Sequence, residues 1–369
     1  MHKNNSITQI KNINNVISKL AYLLCSDCFQ NEGLKITATL IGDTNKKKCE
    51  NCNSTKGHML NQNQLKKLVN IFFVRGSFLT CDFGGSPSIQ FNEDHYQKGS
   101  VTWKKWIRDD AKLIENTCKI GFFYYAPRDW MLGQIEPLIS LRKQGIESSN
   151  IIENIIKKYP TKILDQSYKF YRVRLSPQSP DNIMQYDSPP KKHLGSNRFD
   201  SINFPIFYGS PDLQLCIHEC RATVSDKIYC ATIIPTQQLK MLDLTQIIKE
   251  SEKITESESL EMAVHFLFLA SENSYNICRK ISKKIKKLGF DGIIFPSYFS
   301  YVRTGSIPLE TIYGISLRKL KDFKQYSKKQ IAPNIAIFGR PIKEKRLKVE
   351  CINYIQISKI EYNLNFGTV

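Results

Sequence analysis

The chain reads as an α+β protein of two domains, a largely helical module over 1–160 and a strand-rich domain over 161–369. Three observations carry this reading. At 369 residues the chain exceeds one ordinary domain. Its first half combines helical apolar periodicity with two pairs of closely spaced cysteines. Its second half is a succession of short apolar or alternating runs divided by turn residues, with few helical stretches between them.

The first half opens on Ile10, Ile13, Val16, Ile17, Leu20, Leu23 and Leu24, which recur at helical spacing. Cys25 and Cys28 follow, and roughly 20 residues on come Cys49 and Cys52. Two Cys-x-x-Cys pairs at this separation predict one tetrahedral zinc site, each pair on a tight knuckle with its two sulfurs converging on the metal. A site closed by four thiolates leaves no position for water, so its zinc is structural. The bland alternative is a set of unrelated reduced thiols, and His58 is supernumerary. Between the pairs, Leu34 to Ile41 alternates like a strand, and Asp43 to Lys48 reads as a turn.

Leu65 to Phe73 reads as a helix and the Gly-rich Asp82 to Pro87 as a turn. Asp82-Phe83-Gly84 lacks the other motifs of a kinase. Tyr96 to Cys118 reads as a helix with Trp103, Trp106, Ile107 and Leu113 on one face. Trp130 to Leu141 is a further amphipathic candidate. Ser148 to Pro160 reads as a connecting helix with a proline stop, which sets the domain boundary near Lys162.

Composition bounds the function. The 53 Lys and Arg against 34 Asp and Glu give a net charge of +19, which favours anionic partners: nucleic acid, a phosphorylated ligand or an acidic protein. A general bias towards Lys, Asn and Ile accounts for the excess equally well. Eleven cysteines are too sparse for a disulfide scaffold and their number is odd. The start lacks a signal-peptide pattern, and the longest apolar run, Ala263 to Ala270, falls far short of the ~20 residues of a membrane span. The expectation is a cytoplasmic protein with reduced thiols and no membrane association.

In the second half, Phe170, Arg172 and Arg174 alternate with Tyr171, Val173 and Leu175, a strand with one cationic face. Paired guanidinium forks suit phosphate, although an exposed basic edge strand gives the same pattern. Pro177 to Gly195 reads as a loop. Pro205 to Gly209 reads as a buried strand, and Ser210-Pro211 as the start of a helix, with Ser as the cap and Pro at the first position. That helix carries Leu215, Cys216 and, on its second turn, Glu219, which in isolation reads as a surface glutamate or as the lining of a small polar pocket. Strands are predicted at Tyr229 to Ile234, Lys240 to Leu244, Phe290 to Ser297, Asn334 to Phe338 and within Val349 to Phe366. Two helices fill Leu260 to Leu288, the second basic with a solvated lysine face, and Gly289 stops it. Tyr298 to Pro333 reads as a basic insertion.

These pieces, in order, resemble a RES domain, named for an arginine, a glutamate and a serine. The matching segments are Tyr171-Arg-Val-Arg174, Asn197-Arg-Phe-Asp200, Phe204-Pro-Ile-Phe-Tyr-Gly-Ser210 with Glu219 beyond it, Met241-Leu-Asp-Leu244, Phe290-Asp-Gly-Ile-Ile-Phe-Pro-Ser297 and Asn334-Ile-Ala-Ile-Phe338. The first half is similar to the cysteine-bearing module that precedes RES domains in longer members. The resemblance implies a fold like that of ADP-ribosyltransferase toxins. It also implies a toxin-type enzyme that destroys NAD at the nicotinamide–ribose bond, by water or by inorganic phosphate, under the control of an antitoxin partner. It makes Arg172, Glu219 and Ser297 catalytic, and Arg174, Arg198, Tyr208 and Asn334 substrate-binding. The sequence departs from the family pattern at Asp200-Ser201, where members carry Asn-Pro, and at Leu215-Cys216, where they carry Thr-Ala.

The residue types suit that chemistry. Nicotinamide leaves as a neutral group and needs no general acid, a carboxylate can stabilise the oxocarbenium-like ribose, and arginine can hold pyrophosphate in two-point contact. The Gly-rich dinucleotide fingerprint is missing, so NAD is expected as substrate and not as hydride carrier. Two other functions share some of these features: transfer of ADP-ribose to a macromolecule, and zinc-dependent binding of nucleic acid.

Overall fold

The computed structural model describes residues 22–44, 48–81, 84–92, 97–124, 135–251, 253–300, 331–362 and 364–368. They divide into two units, within the bounds Met1–Thr80, Gly85–Arg128 and Tyr362–Val369 for the first, and Cys81–Gly84 and Asp129–Glu361 for the second.

The first unit begins with β1 (Tyr22–Cys25), so Leu23 and Leu24 are extended where a helix end was expected. Ile10 to Leu20 lie outside the described residues. Next comes α1 (Glu32–Ile41), a helix in place of the expected strand. Its start explains the difference. Asn31 caps it by accepting the Leu34 amide at 3.1 Å, and the buried Asp110 carboxylate accepts the amides of Gln30 and Asn31 at 2.9 and 2.7 Å. With the first turn tied down this way, Leu34, Thr37 and Ala38 face inward at helical spacing and outweigh the β-branched alternation. β2 (Met59–Asn61) pairs antiparallel with β1. Of the turn expected at 43–48, residues 45–47 lie outside the described residues.

α2 (Gln62–Val69) starts with a reciprocal Asn61–Gln64 capping box and passes into a short π-turn at Asn70–Val74, as the helical reading of this stretch required. β3 (Phe78–Cys81) and β4 (Gly84–Pro87) pair, so the expected turn is strand from Gly84 onward. Residues 82 and 83 lie outside the description. β5 (Ile89–Phe91), α3 (Lys105–Cys118) and β6 (Phe122–Tyr124) follow, and β5 pairs with β6. α3 begins later than Tyr96, and its buried stripe is Ile107, Asp110, Ala111, Ile114 and Cys118. Trp106, one step off that stripe, is 57% exposed, while Trp103 precedes the helix and packs edge-to-face on Phe73 and Phe122. Leu24, Leu34, Leu65 and Phe72 complete this core.

The second unit begins with α4 (Glu136–Arg142) and α5 (Ile146–Lys158), residues 130–134 lying outside the description. Then follow β7 (Thr161–Leu164), β8 (Phe170–Leu175), β9 (Ile206–Gly209), α6 (Leu213–Glu219), β10 (Ile228–Pro235), β11 (Leu239–Asp243), α7 (Leu260–Leu269), α8 (Tyr275–Lys287), β12 (Gly292–Pro296), β13 (Pro333–Phe338) and β14 (Leu347–Ile355). Residues 301–330 of the predicted basic insertion lie outside the description.

Two sheets form this unit. One is antiparallel, in the order β14-β10-β8. The other runs β7-β11-β12-β13-β9, with only the β11–β12 pair parallel. Tyr171 and Ser210 exchange backbone hydrogen bonds of 2.8 and 3.1 Å and so join β8 to the chain leaving β9. Phe170, Phe207, Met241, Ile294 and Ile337 fill the core between. β12 is buried along its whole length, as its unbroken apolar run requires. α8 buries Ile277, Cys278, Ile281, Ser282 and Ile285, and Gly289 ends it at φ +79°.

Candidate active site

A cavity of ≈ 420 Å³ opens in the second unit where β8, β9, α6 and β13 converge, a size usual for small-molecule sites. Arg172, Arg174, Arg198, Tyr208, Glu219 and Asn334 all line it. Ser297 reaches it through Glu219. The seven residues are spread from 172 to 334 in sequence, and the fold brings all of them together.

Glu219 is the hub. It is the last residue of α6, placed by burial of Leu215 and Cys216 on the preceding turn. Its Oε1 accepts the Ser297 hydroxyl and the Asn334 amide, both at 2.5 Å. Among the described residues its Oε2 has no donor. Ser297, just past β12, and Asn334, on β13, are themselves buried at 3% and 8% exposure, whereas Glu219 is exposed to the cavity. A rigid buried pair thus holds one carboxylate oxygen and leaves the other to solvent or ligand. The Phe299 amide donates to Ser297 Oγ at 3.0 Å, which fixes the hydroxyl proton towards Glu219.

The helix that delivers Glu219 starts later than its sequence suggested. Ser210 was expected as the cap, but its backbone is paired with Tyr171 and its Oγ donates to the Pro333 carbonyl at 2.8 Å. Asp212 caps instead, accepting the Leu215 amide at 3.0 Å.

The arginines differ from a simple cationic face. Arg172, buried, lies 4.6 Å over the Phe207 ring and donates to the carbonyls of Tyr208 and Asp187. Burial, and next the charge of Arg174, pull its pKa well down from the usual arginine value. Arg174 donates to the carbonyls of Gln185 and Asp187 at 2.8 and 2.9 Å. Arg340 donates to those of Ser188 and Pro189. Three guanidinium groups therefore pin the 185–189 segment, whose Pro189 lines the cavity. Arg198 donates to the Leu267 carbonyl at 2.7 Å and to Ser274 Oγ at 2.9 Å. Tyr208 accepts the Phe199 amide at 3.0 Å, and burial drives its pKa far up, so it stays a neutral phenol.

The two departures in the sequence have structural reasons. Asp200 is fully buried and accepts the backbone and side-chain amides of Asn197 at 2.9 and 3.0 Å, closing its own turn. Cys216 lines the cavity and donates its thiol to the Tyr171 carbonyl at 3.4 Å. Sequence reasoning missed Arg221, Tyr275, Tyr298 and Phe299 among the lining residues. Arg221 had a signal, its adjacency to Glu219. The aromatics had none, since they come from α8 and from the turn after β12.

The first unit holds a second site. Cys25, Cys28, Cys49 and Cys52 place their sulfurs within 4.8 Å of one another, with nearest pairs at 3.5–3.8 Å. Four thiolates about 2.3 Å from one ion have edges of ~3.8 Å, so this donor set fits a tetrahedral metal. A side chain on Gly57 would stand 2.8 Å from Cys25 Sγ, and Asn51 donates to Cys28 Sγ at 3.4 Å, so the backbone and a neighbouring amide are shaped around the sulfurs. Burial pushes the Cys28 thiol up to about 11 and the Cys25 thiol further still. Buried thiolates of this kind persist only with a cation among them.

With both sites described, the second unit is an α+β domain built around a carboxylate-centred, arginine-walled cavity. Residues 169–306 match the RES domain family, and the chain carries a RES domain there. The crystal structure of the M. tuberculosis MbcT-MbcA toxin-antitoxin complex has a similar chain, at 14% identity and a TM-score of 0.32, over 56% of this chain and 92% of the other. No curated protein matches. Among the described residues no helix is long and apolar enough to cross a membrane.

Proposed function

We propose that the second unit consumes NAD by cleaving the bond between nicotinamide and its ribose. The observation that carries this reading is the carboxylate of Glu219, which lines the cavity and is held at Oε1 by Ser297 and Asn334, with no donor to Oε2 among the described residues. Cleavage of that bond expels a neutral base and builds positive charge on the ribose ring. A fixed carboxylate beside the ring stabilises that charge without forming a bond to it. Ser297 and Asn334 keep the oxygen from rotating away, so little reorganisation accompanies the reaction. Arg172 and Arg174 act by fixing the wall at 185–189 and Tyr208, which sets the shape into which the substrate enters. The remaining bond, from the ribose carbon to water or to inorganic phosphate, forms on the face that nicotinamide has left or its opposite.

The RES match supports this reading, as do an arginine and a glutamate on one cavity with the serine bonded to that glutamate. We further assign zinc to the four cysteines of the first unit, as a structural ion. An enzyme that destroys NAD requires restraint in the cell that makes it, and an antitoxin protein belongs to the same reading. The test is release of nicotinamide from NAD by the purified chain, with and without phosphate. ADP-ribose as product marks hydrolysis, and its phosphorylated form marks phosphorolysis. NAD left intact at every phosphate concentration would sink the proposal.

A further inference from the structure

Arg172, which the resemblance made catalytic, and Arg174 and Arg198, which it assigned to the substrate, already donate to backbone carbonyls. Arg172 and Arg174 each commit two of their five N–H donors in this way, and Arg198 three, one of them to Ser274 Oγ, while Arg172 Nε is buried without a partner. Arg221 is different. It lines the same cavity, it is exposed, and its guanidinium has no partner among the described residues.

Its backbone makes the point sharper. α6 closes in a Schellman turn: the Arg221 amide donates to the His218 carbonyl at 2.9 Å, and the Ala222 amide to that of Ile217 at 3.2 Å. Ala222 packs against the cluster containing Cys216, the apolar contact typical of this turn. Arg221 occupies the position in it that must be left-handed, at φ +51°. Glycine is the residue for that position, because any side chain there crowds the backbone. An arginine two residues after Glu219 therefore costs stability, and its side chain lies at the cavity wall.

We propose that Arg221 is the substrate-binding cation of this site and that it recognises the pyrophosphate of a dinucleotide. The inference rests on the NAD reading above and names how that substrate is held. A guanidinium free at five N–H groups grips two phosphate oxygens at once, and placed beside Glu219 it anchors the ligand on one side of the reacting ribose.

Calorimetric titration of the full chain tests it, with ADP-ribose and nicotinamide riboside as probes of the same pocket with and without the pyrophosphate. Arg221→Gly should weaken ADP-ribose at least about tenfold and leave the riboside within about twofold, since only the charged contact is lost. The same variant should unfold about 1–4 °C higher, because glycine relieves the left-handed strain. Arg221→Lys should recover part of the ADP-ribose affinity through its point charge. Equal ADP-ribose affinity in wild type and Arg221→Gly would overturn the assignment while leaving the NAD reading intact. A wild-type chain that binds neither probe overturns both.

Discussion

The four-cysteine cluster and the Glu219 cavity are built on opposite plans. The cluster takes its ligands from two short segments, 25–28 and 49–52, each pair fixed by local turn geometry. Its sulfurs repel one another as thiolates and hold nothing together as thiols, which is why the proposal above gives them zinc. The cavity takes its residues from β8, β9, α6, the end of β12 and β13, and needs no ion to hold them. Buried carbonyls, amides and one serine hydroxyl do that work. On the zinc assignment, the difference teaches that the first site is stable only when loaded, whereas the second is preorganised by its own hydrogen bonds.

Metal removal breaks the comparison most strongly. Structural zinc in small domains contributes about 10–16 kcal/mol of apparent binding energy, more than the total stability of most domains. A strong chelator, or Cys25→Ser, should therefore unfold the first unit, read by hydrogen exchange as loss of protection in β1, α1 and β2. Protection of β12 and β13 should persist. Equal loss in both units, or none in either, would contradict the division of labour between them.

Glu219→Ala comes next. Removal of a placed electrostatic group typically costs about 10²–10³ in rate, or ~2.7–4 kcal/mol. Nicotinamide release should fall by that factor with the fold intact, because Glu219 is exposed and a carboxylate at the end of α6 opposes the helix dipole. A variant that unfolds instead, or one as active as wild type, would assign Glu219 to structure or to nothing.

Arg172→Lys probes the wall. Lysine keeps one charge but cannot reach the Tyr208 and Asp187 carbonyls together, and each buried carbonyl left unpaired costs about 1–3 kcal/mol. Denaturant midpoints should fall accordingly, and activity should fall with them. A large loss of activity at unchanged stability would mean that Arg172 touches the substrate itself.

The order of pieces in the sequence was legible because several candidate site residues sit in or just beside an element with a local signature: alternation around Arg172, the apolar run before Ser297, the strand bearing Asn334. The cysteine spacing was legible for the same reason. What was not legible is commitment. Nothing around Arg172 in sequence says that its donors go to residues 187 and 208, because those partners are fixed only when β8, β9 and the 185–189 loop meet. The helix at α1 was misread as a strand for a related reason: its start is secured by Asp110, far along the chain, and local alternation carried no trace of it. Arg221 escaped notice because left-handed backbone is invisible in an arginine codon's neighbourhood, whereas a glycine would have announced it.

The smallest lever is pH, and it acts on the first unit without touching its cysteines. Glu115 on α3 has its carboxyl raised above the usual glutamate range, chiefly by burial, with the Phe122 amide and Lys112 pulling the other way. Because the folded pKa lies above the unfolded one, its contribution favours folding while the carboxyl is protonated. That contribution is present below the unfolded pKa and lost as pH rises through the folded pKa. At neutral pH the folded unit therefore carries a partly desolvated anion. Glu115→Gln removes that charge and can keep the acceptor for the Phe122 amide. It should raise the melting temperature by roughly 1–2 °C at pH 7 and by nothing at pH 4, where the native carboxyl is already protonated in the fold. A gain that persists unchanged at pH 4 would trace the effect to packing, and the cavity unit, whose transition holds no part of α3, should not move at either pH.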